Sequence, residues 1–192
     1  MRARAVLSGL VALSACVTPP APPNALPPGY PPKIGEVTAE LNGTAQHWET
    51  YDYSIGAFDA AVQVMGYNEE LQFRLLGAQV GKPEEDSNRL FIKAVMTRPT
   101  VGGGLTKPVI EIVAGRDTDG LRLSSIGSPT EVVLDRITAK ADGAYGHVTG
   151  HFSTMLCGAN GDPARIDRKT CQPFHGSFSS DLQFDDIERF QP

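Results

Sequence analysis

The chain is poor in several things that would name a chemistry outright. Its 192 residues include three cysteines and one tryptophan. Basic charge is in deficit, with 17 Lys and Arg against 22 Asp and Glu and a formal net charge of −5. Nucleic acid is bound through stripes of Lys and Arg that neutralise phosphates, so an acidic chain without such a stripe excludes it as a partner. Beyond the first 13 residues there is no apolar run approaching the about 20 residues that a membrane-spanning helix needs. Gly-x-Ser-x-Gly, His-Glu-x-x-His and Ser-x-x-Lys are all missing. Gly102-Gly103-Gly104, between Pro99 and Pro108, lacks the glycine spacings that cradle phosphates and reads as a loop. Asp117-Thr118-Asp119-Gly120 opens like a calcium loop, but residues 121–128 supply neither a third ligand position nor the closing glutamate, so it reads as a hairpin turn.

What is present begins at the N-terminus. Arg2 and Arg4 precede an apolar stretch from Ala5 to Leu13, which ends in Leu13-Ser14-Ala15-Cys16. A positive start, a short apolar core and small residues before a cut form a secretory signal. The cysteine directly after the small residues resembles the lipobox of bacterial lipoproteins. That resemblance covers only the first sixteen residues. It implies removal of residues 1–15 and acylation, including palmitate, on Cys16. More than one acyl chain on a residue gives stable anchoring. Val17, where an aspartate would favour the inner membrane, implies sorting to the outer membrane, with the chain facing the periplasm. Loss of Arg2 and Arg4, with no acid lost, takes the net charge from −5 to −7.

Residues 16–33 then read as the lipidated cysteine and a linker. Eight of the fifteen prolines lie in it, from Pro19 to Pro32. Such a stretch favours extended polyproline II, and seventeen residues of it hold a domain up to roughly 50 Å from a membrane at about 3.1 Å per residue. With Cys16 acylated, Cys157 and Cys171 remain as an even pair in an exported domain, which reads as a disulfide. The bridge closes a loop of about 15 residues, worth roughly 3 kcal/mol if it acts by restricting the unfolded chain.

Residues 34–187 read as one all-β domain, with a short tail at 188–192. Apolar residues alternate with polar ones at Val37, Ala39 and Leu41; at Tyr51, Tyr53 and Ile55; at Leu71, Phe73 and Leu75; and at Leu90, Ile92 and Ala94. Period-two alternation marks half-buried strands. Residues 108–114 and 131–139 are apolar or β-branched runs, and Leu121 and Leu123 alternate. Turn clusters separate these segments, among them Gly43-Thr44, Gly66-Tyr67-Asn68, Gly127-Ser128-Pro129 and Ala141-Asp142-Gly143. Residues 57–66 fit either a strand or a short helix starting at Phe58. The expected fold is a mainly antiparallel β-sandwich of roughly 8–10 strands, with a partly closed β-barrel as the alternative.

One internal echo sets a register. Gly150-His151-Phe152-Ser153-Thr154-Met155-Leu156 and Gly176-Ser177-Phe178-Ser179-Ser180-Asp181-Leu182 share the pattern Gly-x-Phe-Ser-x-x-Leu. If the two are antiparallel neighbours with Cys157 facing Cys171, Gly150 faces Phe178 and Phe152 faces Gly176. Each ring then covers the bare backbone of a glycine. The expectation is a disulfide-stapled hairpin with a polar 13-residue loop at 158–170. Val148, Leu156, Phe174 and Leu182 share its inner face.

The same register places His147, His151, His175 and Asp181 on the outer face, with His147 opposite Asp181. His151 and His175 lie on a diagonal, about 7–8 Å apart between backbones. His147 and His151 are four residues apart on one strand, roughly 13 Å, too far to join them on one ion. No metal set or cofactor is expected. His47-Trp48-Glu49 has the His-x-Glu of zinc deaminases, but Pro-Cys-x-x-Cys is absent. If Tyr51 and Tyr53 face the core, Trp48 faces outward beside Asp52, where it would stack on a sugar or anchor a protein. The reading is therefore a non-enzymatic, membrane-tethered binding module. Trp48, Asp52, His151, His175 and Asp181 are its candidate contacts, and an envelope protein or a glycan is its partner. Two alternatives are a periplasmic carrier of a small apolar ligand and a hydrolase built on His151, His175 and Asp181. Cys16→Ser is expected to move the protein from the membrane fraction to the soluble one; a variant that stays membrane-bound refutes the anchor.

Overall fold

The computed structural model describes residues 30–53, 62–67, 70–82, 88–96, 105–114, 120–140 and 144–185. Cys16, most of the proline-rich stretch, Gly102-Gly103-Gly104 and Asp117-Thr118-Asp119 lie outside the described residues, as does the start of the segment that fits strand or helix. Ten strands follow in order: β1 (Lys33–Leu41), β2 (Thr44–Tyr51), β3 (Val62–Tyr67), β4 (Glu70–Gln79), β5 (Arg89–Met96), β6 (Thr106–Val113), β7 (Leu121–Ser124), β8 (Thr130–Ala139), β9 (Tyr145–Gly158) and β10 (Asp167–Asp185). The described part of the segment open to either reading, from Val62 on, is strand.

All ten join in one sheet, ordered β2-β1-β10-β3-β4-β5-β6-β7-β9-β8, with further pairings β2–β4 and β10–β9. Every pairing is antiparallel except β10 with β3. The two longest strands turn this sheet into a sandwich. Along one edge β10 pairs with β1 from Phe174 to Ser180 and then with β3 from Gln183 to Asp185. Likewise β9 pairs with β8 from Gly146 to Thr154 and then with β7 at Cys157 and Gly158. Each long strand thus passes from one layer to the other. One layer is β2-β1-β10-β9-β8 and the facing one is β3-β4-β5-β6-β7. The pairings close a ring through β10, β3, β4, β5, β6, β7 and β9.

The core lies between the layers and is built on aromatic rings. Phe73 of β4 stacks on Phe178 of β10 at 5.8 Å between centroids, Phe152 meets Phe174 at 5.1 Å, and Trp48 sets its edge to Phe174 at 6.0 Å. Leu71, Leu75, Leu90, Ile92, Ile110, Leu134, Val148, Leu156 and Leu182 fill in around them, all essentially fully buried. Offset and edge-on ring pairs add about 1 kcal/mol each to what burial of their area already gives.

The β9–β10 hairpin forms in the expected register: Gly150 faces Phe178, Phe152 faces Gly176 and His147 faces Asp181. The Phe178 ring covers Gly150 so closely that a Cβ there would fall 2.4 Å from its Cζ. Gly176 is different. Its bare backbone is approached by β1, with Thr38 O 2.4 Å and Ala39 Cβ 2.6 Å from the place of a Cβ. Cys157 and Cys171 are disulfide-bonded. The hairpin loop is shorter than the 13 residues expected, because β10 starts at Asp167 and Asp167 pairs with Gly158 beyond the bridge. Residues 168–171 bulge there. Thr170 pins the bulge by accepting from Gly158 N–H at 2.9 Å and donating to Asp167 O at 2.9 Å.

The outward placement of Trp48 is overturned. Asn42 and Gly43, with φ of 48° and 79°, close a two-residue turn in which both residues adopt the left-handed conformation. That turn locks β2 to β1 with Trp48 opposite the buried Val37. Trp48 is 2 % exposed and donates its indole N–H to Asn88 O at 2.7 Å. The strand runs over 44–51, and Ile55 lies outside the described residues. Tyr51 is buried too, but on the opposite side of the strand, where the β1–β2 register shifts between Lys33 and Gly35. A parity set by the tyrosines is therefore wrong for every residue before them. Trp48→Ala is expected to cost about 3–5 kcal/mol in urea unfolding; a cost under about 1 kcal/mol would contradict a core role.

Candidate functional site

With Trp48 in the core, the outward side of β1, β10, β9 and β8 is the polar surface the fold presents. Its composition follows from alternation. On β9, Gly146, Val148, Gly150, Phe152 and Thr154 point in, so His147, Thr149, His151 and Ser153 point out. On β10, Phe174, Phe178, Ser180 and Leu182 point in, so His175, Ser177, Ser179 and Asp181 point out. Thr38 and Glu40 of β1 border them, opposite Ser177 and His175. His47 of β2 lies opposite Thr38, so all four histidines of the chain stand on this side.

Three of the imidazoles are held by carboxylates. His147 Nδ1 lies 2.9 Å from Asp181 Oδ1, and its Nε2 lies 3.1 Å from Ser179 Oγ. His151 Nδ1 lies 2.9 Å from Asp135 Oδ1 and 3.1 Å from Oδ2. His47 Nε2 is 3.6 Å from Glu36 Oε2. Asp135 shares the outer side of β8 with Val133, which pairs with His151, and at the register shift between Leu134 and Arg136 both Asp135 and Arg136 face outward. Alternation alone keeps Asp135 on the side of Glu131 and Val133, and the shift is what turns Arg136 outward as well; neither Asp135 nor Ser179 was marked by the sequence.

His151 and His175 flank a shallow, open depression of about 600 Å³. Thr38, Glu40, Ser153 and Ser177 form the rest of its rim, and Ala39, Phe152 and Gly176 lie beneath. The hydroxyls of Thr38 and Ser177 are 3.4 Å apart across it. The structure thus brings His151 and His175 together on one rim. Asp181 belongs to the neighbouring His147 group. Asp52 lies elsewhere, half-buried just past β2, with its backbone N–H donated to Pro32 O at 2.9 Å. Among the described residues no three His, Cys, Asp or Glu side chains gather closely enough to hold a metal ion.

A second polar cluster ties elements together. Glu49 accepts from the Tyr51 hydroxyl in a short hydrogen bond, from Gly81 N–H at 2.8 Å and from Lys33 Nζ at 3.0 Å. Burial works to raise the Glu49 pKa, but the bonds from Tyr51, Gly81 and Lys33 outweigh it and hold the carboxyl below its ordinary range. Burial and donation to Glu49 push the Tyr51 hydroxyl well above its own. For Lys33 burial acts downward, yet its bonds to Glu49 and Glu36 leave its pKa raised. The cluster clasps β1, β2 and the β4–β5 turn, and this is what holds Tyr51 on the outer side of β2.

Comparison of the chain with protein-family models, with curated proteins and with solved structures finds no match. The reading of the site therefore rests on its own chemistry.

The Glu49 clasp has a pH signature. A carboxyl whose folded pKa is depressed contributes stability that is present above the unfolded value and is lost as pH falls through the folded one. Glu49→Gln is expected to cost about 2 kcal/mol at neutral pH, the scale of a charge-assisted hydrogen bond. The difference from wild type should shrink steadily below the ordinary carboxylate range. Denaturant melts at neutral and acid pH check this, and a difference independent of pH would refute it.

Proposed function

We propose that the protein is a lipid-tethered lipoprotein of the cell envelope, anchored through Cys16 in the outer membrane and facing the periplasm, whose β domain binds an envelope glycan. The observation that carries the binding reading is the open depression between His151 and His175. Its rim of hydroxyls, imidazoles and one carboxylate offers both donors and acceptors to a polyhydroxylated chain. A protein partner fits this face less well. Protein interfaces draw their energy from aromatic and other apolar anchors that are buried on contact. Trp48, the anchor a protein partner would have used, is instead in the core. A carrier would need an enclosed apolar space, and the Phe73, Phe152, Phe174, Phe178 and Trp48 rings occupy the middle of the sandwich. The depression is shallow and wet, so its interactions are of the water-bridged kind and modest individually. The lipobox and the proline stretch support the tether, and a stand-off of tens of ångströms suits a polymer lying beyond the membrane surface.

The test is retention of the purified protein on insoluble envelope polysaccharide prepared free of protein. Wild type should be retained, and His151→Ala with His175→Ala should weaken retention by about 10-fold or more with an unchanged melting temperature. Equal retention of the double variant refutes the assignment to this depression, and no retention of wild type refutes the glycan.

A further inference from the structure

The second histidine group on the same face has a connectivity that binding does not require. Ser179 and Asp181 are two residues apart on β10 and point to the same side. His147 of β9 stands directly opposite Asp181 and diagonal to Ser179. One imidazole therefore reaches both: Nδ1 to Asp181 Oδ1 at 2.9 Å and Nε2 to Ser179 Oγ at 3.1 Å. An ionised carboxylate only accepts, so Nδ1 carries the ring's hydrogen. The neutral ring then has a bare Nε2, which takes its hydrogen bond from the Ser179 hydroxyl. The order of proton donation is hydroxyl to Nε2 and Nδ1–H to carboxylate. That is the arrangement in which an imidazole acts as general base toward a serine.

We infer that Ser179 is a nucleophile toward carboxylic esters, with His147 as its general base and Asp181 orienting the imidazole. In the first half of the reaction Ser179 Oγ bonds to the ester carbonyl carbon and its proton passes to His147 Nε2. The bond from that carbon to the alcohol oxygen breaks, and the alcohol leaves with the proton. Water then adds to the acyl-serine, gives a proton to Nε2 and releases the carboxylic acid, and the proton returns to Ser179. Ser179 lies inside the sheet between β1 and β9, so its backbone N–H is committed to the ladder and does not steady the oxyanion. Arg136 brings a positive charge to this face. It pairs with Thr149, which in turn pairs with Ser179, two strand spacings or roughly 10 Å across the sheet. The site is open, with the side chains of His147 and Asp181 41 % and 49 % exposed. That openness fits an acyl group carried on a long chain lying across the sheet, and not a small molecule enclosed in a pocket. This inference stands apart from glycan binding at the depression, and its test needs no glycan.

The full-length protein is treated with a fluorophosphonate probe and the adduct is located by mass spectrometry. An adduct at Ser179 is expected, absent from Ser179→Ala and from heat-unfolded protein. Labelling should slow by about 100-fold in His147→Ala, the low end of what a positioned base contributes. Hydrolysis of p-nitrophenyl acetate should fall in parallel. Folding of each variant is read from the fluorescence of the buried Trp48, and His147→Gln replaces His147→Ala if the latter unfolds. No adduct in the folded wild type, an adduct at another residue, or undiminished labelling of both folded His147 variants would each overturn the inference.

Discussion

The ladder between β9 and β10 is the constraint on which the rest of this molecule depends. Neither strand is free to slip. A slip of β9 by one residue would turn Phe152 to solvent and bring His147 and His151 into the core, and a slip of β10 would do the same with Phe174, Phe178 and His175, a reversal that period-two alternation makes all-or-none. The Phe178 ring over Gly150 fixes the middle of the ladder and the Cys157–Cys171 bridge fixes its tip. Because both strands are long enough to take two partners in succession, they carry both layers. The position of β1, β3, β7 and β8 is thereby inherited from one pairing.

The same alternation that buries three phenylalanines creates the polar face opposite them. No separate scaffold is needed to bring His147, Ser179 and Asp181 within hydrogen-bonding distance; the register does it. The price is paid in shelter, since a sheet face offers no walls. A site of this kind works on what lies across it, which is why the two readings of the face, a glycan contact at His151 and His175 and an ester nucleophile at Ser179, both call for an extended ligand.

What the sequence disclosed and what it hid divide along physical lines. The hairpin register was legible because two independent signals coincide: the Gly-x-Phe-Ser echo and the cysteine pair. The all-β class was legible from alternation. The orientation of β2 was not. Tyr51 and Trp48 are both buried, but on opposite sides of the strand. The clasp that Glu49, two residues away, makes with Gly81 and Lys33, both distant in sequence, explains how an outward tyrosine is held. Asp135 was hidden for a different reason. Alternation places it on the outer side of β8, but only the pairing of β8 with β9, which nothing in the local composition announces, brings it beside His151. The extent of the loop after Cys157 was misjudged because pairing resumes past the bridge, through Thr170 and Asp167.

The place of β1 has a mechanical consequence. On the proposed anchoring at Cys16, the chain coming from the membrane enters the domain at Lys33, and β1 runs from there between β2 and β10, hydrogen-bonded on both sides. If the far side of the domain is held by whatever lies on the β9–β10 face, tension along the tether pulls β1 along its own axis. Its ladders are then loaded in shear, with many hydrogen bonds sharing the force at once, and are not peeled apart one at a time. A strand so placed lets a small domain act as a strut between two surfaces that move against each other.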